Sequence, residues 1–247
     1  MKNRTALITG GMGTIGTAIM EALHAGGCSK LATFQFPGAP GAEEWQAAMQ
    51  AKGIEVFVVE CDASDYAATE AAVKAVEEAC GPVDILVNGA GITRDNTLRK
   101  MSAEQWNEVI AANLTSVFNV TRQVIEGMTN RGWGRVVNIS SINGQKGQFG
   151  QANYSASKAG MHGFTKAVAQ EVARKGVTVN TISPGYIDSP MINAVPEEIR
   201  ENIRKDLPVQ RFGKPSEIAR TVAFLADEEA GFITGADLSV NGGQYMS

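Results

Sequence analysis

Residues 5–16 read Thr5-Ala6-Leu7-Ile8-Thr9-Gly10-Gly11-Met12-Gly13-Thr14-Ile15-Gly16. A short apolar run, Thr5–Ile8, passes into a glycine-rich turn, and residues 14–26 then carry helical periodicity that stops at Gly26-Gly27. Strand, glycine turn and helix in that order let a backbone approach a pyrophosphate and aim the free N–H groups of a helix N-terminus at it. Gly11, Gly13 and Gly16 match GxGxxG, a weak signal by itself that gains meaning from its place between the first strand and first helix.

The alternation continues outward. Further strands are expected at 31–34, 55–60, 84–87, 135–140, 177–182 and 236–240, with helices at 42–52, 66–80, 103–112, 114–130, 154–175 and 216–226. The segment Pro184–Asp206 reads as irregular and mobile. Apolar strands separated by helices imply parallel strands covered on both faces, hence a single-domain α/β Rossmann fold over 1–247: a doubly wound, seven-stranded parallel sheet.

The bulk numbers exclude several functions. A net charge of −4 leaves no basic field for nucleic acid. No apolar stretch is long enough for a membrane span. The start of the chain lacks the apolar core and cleavage region of a signal peptide, so a cytoplasmic location is expected. Cys28, Cys61 and Cys80 show no CxxC spacing and read as reduced, mostly buried thiols; with only His24 and His162, no metal site is expected.

Tyr154 and Lys158 stand four apart, on one face of a helix. A neighbouring ammonium is expected to pull a phenol down from about 10 toward working pH, making it able to give a proton to a forming alkoxide. Ser141 closes the fifth strand, 13 residues before Tyr154, and Asn88-Gly89-Ala90-Gly91 closes the fourth. Strand C-termini line the ligand crevice in such sheets. The second strand runs Leu31-Ala32-Thr33-Phe34-Gln35-Phe36-Pro37, with no Lys or Arg between Lys30 and Lys52. A 2′-phosphate would find little cationic support there, so NAD(H) is favoured, with NADP(H) the alternative; Gln35 could bond either ribose.

With these residues in view, the chain resembles the short-chain dehydrogenase/reductase family over essentially its whole length. The signs are the Thr9–Gly16 turn, Asp62, Asn88–Gly91, Asn113, Ser141, Tyr154 with Lys158, and Pro184-Gly185. The resemblance implies that Tyr154 is the acid/base and that Ser141 bonds the carbonyl oxygen. Lys158 would lower the Tyr pKa and hold the nicotinamide ribose, and Asn113 a relay water. Residues Gly10, Gly11, Met12, Gly13, Thr14, Ile15 and Gly16 would cradle the dinucleotide, Asp62 would contact adenine, Asn88 would brace the sheet, and Ile187 would lie near the nicotinamide amide. Two departures stand out: Thr14 replaces the middle glycine of the usual TGxxxGxG, and NGAG replaces NNAG.

Within the family the chain is most similar to acetoacetyl-CoA reductases of polyhydroxyalkanoate synthesis, especially in 91–95, 131–135 and 143–151. That similarity implies an acyl pocket of Gln148, Phe149, Gln151 and Tyr186, with Asp95 and Lys100 nearer the CoA end. It also implies a homotetramer with residues 184–206 as a substrate lid. The rival readings are a 3-oxoacyl-[acyl-carrier-protein] reductase, whose acidic carrier would dock on Arg131, Arg174 and Lys175, and a non-catalytic nucleotide sensor on the same fold.

Overall fold

The computed structural model describes residues 1–246. Seven parallel strands form one sheet: β1 (Thr5–Thr9), β2 (Lys30–Gln35), β3 (Val56–Glu60), β4 (Ile85–Asn88), β5 (Gly134–Ile139), β6 (Val177–Pro184) and β7 (Asp237–Val240). Their order is β3-β2-β1-β4-β5-β6-β7. The direction of winding reverses between β1 and β4, which opens a crevice at their C-terminal ends.

Alternate residues of each strand serve opposite faces. Ala6 and Ile8 pack with Ile19 and Leu23 of α1 (Thr14–Ala25) and with Ile218, Val222 and Leu225 of α10 (Pro215–Ala226). Leu7 and Leu86 pack on the other face, with Val73 and Val76 of α3 (Tyr66–Cys80) and Val120 and Val124 of α5 (Ser116–Arg131). The helix carrying the Tyr/Lys pair is α7 (Ala152–Val172), which also lies on this second face through Ala169 and Val172. No helix among the described residues is long and apolar enough to cross a membrane.

Three local features depart from the sequence expectations. The segment after β6 is not irregular: it holds a short helix, α8 (Pro190–Asn193), and a ten-residue helix, α9 (Glu197–Asp206). α9 buries none of its residues, so no core stripe announced it. Its stability is local: acidic Glu197 and Glu198 lie in the first turn, Arg204 and Lys205 in the last, and Glu197 pairs with Arg200 and Arg204. A five-residue helix, α6 (Ile142–Lys146), follows β5 and was not expected. Finally, the helices expected at 103–112 and 114–130 are one run, in which α4 (Ala103–Ile110) joins α5 through a π-turn at Ala111–Thr115.

Candidate active site

The glycine turn is dictated by close packing. Gly10 adopts φ +70°, and a Cβ there would lie 2.9 Å from the Ala90 nitrogen. A Cβ on Gly16 would meet the Gly10 carbonyl oxygen at 2.2 Å and the Gly11 Cα at 2.6 Å, so α1 can press against the turn only without one. The Thr9 hydroxyl accepts from the N–H groups of Gly89 (3.1 Å) and Ala90 (3.2 Å), tying the two crevice loops together. No side chain caps α1, and among the described residues the N–H groups of Thr14, Ile15 and Gly16 have no acceptor. Open donors at a glycine-bared helix N-terminus fit a pyrophosphate. Thr14, the departure from the family turn, begins α1 with its side chain exposed, clear of the Gly10–Gly16 contact.

Asp62, expected to contact adenine, accepts through one carboxylate oxygen from the Ser64 N–H (2.9 Å) and hydroxyl (2.8 Å). The Gln35 amide donates to the Ala39 carbonyl, so its nitrogen is already engaged. Asn88 donates to Asn138 of β5 (2.8 Å) and Thr121 of α5 (3.2 Å). Asn138 in turn donates to Thr165 of α7 (2.8 Å), which bonds Thr181 of β6 (2.7 Å). This buried polar chain bridges three strands and two helices beneath the crevice.

Gly91 lies against two other candidates: a Cβ there would meet Asn113 Oδ1 at 3.2 Å and Lys158 Nζ at 3.4 Å. Asn113 sits in the π-turn, fully buried. Its Oδ1 accepts from the Ile92 N–H (2.7 Å), and its amide donates to the Ile92 carbonyl (3.0 Å) and the Ser157 hydroxyl (3.1 Å). Lys158 is buried, with Nζ donating to the Ile139 carbonyl (2.8 Å) and lying 5.7 Å from the centroid of the Tyr154 ring. Burial lowers its pKa from 10.5 to about 8. Ser141 caps α6, its hydroxyl accepting from the Asn143 N–H (3.1 Å), and it faces the phenol of Tyr154.

The expected lowering of the Tyr154 pKa by Lys158 does not appear in this arrangement. Burial is the largest influence and raises it, the Ser141 hydroxyl lowers it, and the Asp95 carboxylate raises it. The physical reason is that the lysine points at the Ile139 carbonyl beneath the ring and not at the phenol oxygen.

At the end of β6, Gly185 passes so close to Asn241 that a Cβ would lie 2.8 Å from its Cα. The Ile187 side chain is buried, packs with the core and lines a cavity beside Tyr186. Its neighbours Tyr186 (carbonyl) and Asp188 (N–H) pair with Gly213, so Ile187 turns its own N–H and carbonyl the other way.

The residues expected at the acyl pocket and the CoA end have several surroundings. Phe149 is 87% exposed and Lys100 is exposed. Gln148 accepts from Lys146 (3.0 Å). Tyr186 tilts against Phe212 and lines a cavity of about 70 Å³ with Leu207, Val209 and Arg211. Gln151 is engaged on both sides, donating to Asp95 (2.8 Å) and accepting from Asn143 (2.9 Å). Sequence reasoning missed Thr9, Asn138, Asn143 and Ser157. Asn143 gave no signal, because α6, in whose first turn it lies, was not expected from the sequence.

Comparisons with known proteins agree with this geometry. Residues 4–200 match the short chain dehydrogenase family model. The chain is 54% identical over 243 residues to an acetoacetyl-CoA reductase of Allochromatium vinosum, covering 98% of this chain and 99% of that protein. It is 53% identical to an acetoacetyl-CoA reductase of Cupriavidus necator over 246 residues, covering 100% of each. It is also 42% identical, over 246 residues, to a 3-oxoacyl-[acyl-carrier-protein] reductase of Vibrio harveyi, covering 100% of this chain and 99% of that protein. The chain belongs to the short-chain dehydrogenase family.

Proposed function

We propose that this chain reduces acetoacetyl-CoA to (R)-3-hydroxybutyryl-CoA, with Tyr154 as the proton donor. The observation that carries the chemistry is the placement of Asn113 and Lys158 against Gly91, with Lys158 5.7 Å from the Tyr154 ring and Ser141 facing its phenol, beside a helix N-terminus with open N–H groups. A family enzyme of this kind binds a nicotinamide dinucleotide, and the reduced nicotinamide supplies the hydride. Gly10–Gly16 would hold its pyrophosphate, Asp62 its adenine, and Lys158 the nicotinamide ribose. The outward-turned backbone of Ile187, together with Pro184-Gly185, would face its amide.

Ser141 and Tyr154 hydrogen-bond the carbonyl oxygen and stabilise the charge that grows there, a contribution of about 3–4 kcal/mol per donor. Tyr154 then releases its phenolic proton to the alkoxide. The buried phenol is protonated before hydride transfer, its proton affinity raised chiefly by burial. Lys158 points at the Ile139 carbonyl and not at the phenol oxygen, so it would replace the proton through a relay water. Both amide hydrogens of Asn113 are committed to Ile92 and Ser157, so a relay water is held by the carbonyl oxygens of this π-turn.

NADH is the preferred reductant. No lysine or arginine follows β2 before Lys52, and the residue next to its end, Phe36, is exposed and carries no charge for a 2′-phosphate. The CoA thioester is favoured over the carrier protein because Arg131, one of three cations available for an acidic carrier, is turned onto the Val83 carbonyl (2.6 Å) and Asp84 (3.5 Å). Residues 184–206, with α9 lying outside the core, form the lid. The chain assembles as a homotetramer, which would cover exposed Trp106, Phe118, Phe224 and Phe232. Steady-state rates on acetoacetyl-CoA and on the carrier-linked substrate, each with NADH and NADPH, test this reading. Faster turnover of the carrier-linked substrate would replace it.

A further inference from the structure

The mouth of the site contains a hydrogen-bonded chain that runs inward to the catalytic serine. The Gln151 amide donates to Asp95 (2.8 Å), its carbonyl accepts from the Asn143 amide (2.9 Å), and the Asn143 backbone N–H donates to the Ser141 hydroxyl (3.1 Å). The outer end is not free to drift. The Asn96 N–H bonds the Gly150 carbonyl (2.8 Å), Asn96 and Gln151 form a bridge, and Asn153 donates to the carbonyls of Arg94 (3.0 Å) and Gln105 (3.1 Å). The same Asn153 accepts from the Tyr154 N–H (2.8 Å), so the loop bearing Asp95 and the first turn of α7 are one unit.

We infer that Asp95 is a positioning residue: through Gln151 and Asn143 it fixes the Ser141 hydroxyl. This rests on the assignment of Ser141 and Tyr154 above. The surrounding charges leave Asp95 that role. Arg94 turns away to Glu108 of α4 (2.8 Å), and Lys146 of α6 holds Gln148 (3.0 Å). Asp237 of β7 is held by His162 of α7 (3.5 Å), Ser183 of β6 (2.7 Å) and Gln145 of α6 (2.8 Å). Lys158 bonds Ile139 from beneath, and Lys100 is exposed. Asp95 has no ion-pair partner among the described residues, and its charge favours the protonated phenol. The carboxylate therefore holds the phenol in its protonated form and makes it a weaker acid.

The test uses the unliganded full chain. Tyrosinate absorbance is titrated in the parent, in Asp95→Asn and in Asp95→Glu, each against the same chain carrying Tyr154→Phe. Asn keeps the acceptor for Gln151 and removes the charge, so the Tyr154 midpoint is expected to fall; Glu restores the charge and the midpoint. Gln151→Met, which breaks the chain while leaving Asp95 in place, should lower kcat roughly tenfold through looser placement of Ser141. An unchanged kcat in Gln151→Met, with the effect of Asp95→Asn confined to the KM for acetoacetyl-CoA, would make Asp95 a substrate contact and overturn the inference. Absence of turnover in the parent chain would instead sink the proposed activity and leave the titration result standing.

Discussion

Lys158→Met should make the unliganded protein more stable while removing its activity. In the parent, the ammonium is buried with one polar partner, the Ile139 carbonyl. Burial lowers its pKa from 10.5 to about 8, so the folded chain binds this proton less tightly than the unfolded chain does. At about 1.36 kcal/mol per pH unit, that displacement opposes folding by about 3 kcal/mol below pH 8. The opposition is relieved as pH rises from about 8 to 10.5, where the unfolded lysine also loses its proton. Methionine has a similar length, carries no charge and gives up one hydrogen bond of about 1 kcal/mol. The variant should therefore be about 2 kcal/mol more stable than the parent at pH 7, with the advantage vanishing or reversing near pH 10.5. Urea unfolding of both chains, followed by far-ultraviolet circular dichroism across this range, measures the difference directly. A stability difference that does not change with pH would refute the claim that this lysine is held charged against its own burial.

Other substitutions test separate parts of the site. Gly16→Ala, which drives a Cβ to 2.2 Å from the Gly10 carbonyl, should displace α1 from the turn and weaken NADH binding at least tenfold, read by the fluorescence of the bound cofactor. Phe36→Arg should raise kcat/KM with NADPH relative to NADH by about tenfold or more, by giving a 2′-phosphate the cation that the end of β2 lacks; an unchanged ratio would remove the charge argument for cofactor choice. Asn138→Leu breaks the buried chain from Asn88 to Thr165 and leaves both partners short of a hydrogen bond. It should cost about 2–4 kcal/mol in urea unfolding.

The sequence made the sheet legible because its strands are short apolar runs bounded by turns, and every one of the seven lies within a residue or two of its expected place. The glycine turn and the Tyr154/Lys158 pair were legible because each is fixed by local geometry: a helix start that tolerates no Cβ, and four residues of helix. α9 was hidden because its ten residues, Glu197–Asp206, build a helix from charge pairs with only Ile199 and Ile203 to mark a face. The π-turn that seats Asn113 depends on packing against Ile92 and Ser157, which lie 21 and 44 residues away. The orientation of Lys158 toward Ile139 follows from where α7 crosses β5, a tertiary fact that spacing along one helix does not contain. For the same reason Gln151, expected to touch substrate, carries a bridging role visible only once Asp95 and Asn143 are placed on either side of it.

Proton donation by Tyr154 is the step on which the other assignments depend, and one comparison reaches it most directly. NADH oxidation with acetoacetyl-CoA is followed in the parent and in Tyr154→Phe, alongside NADH affinity of each. Loss of a donor worth about 3–4 kcal/mol predicts turnover reduced several-hundred-fold with unchanged NADH affinity. Turnover within a few-fold of the parent would mean that the proton comes from elsewhere.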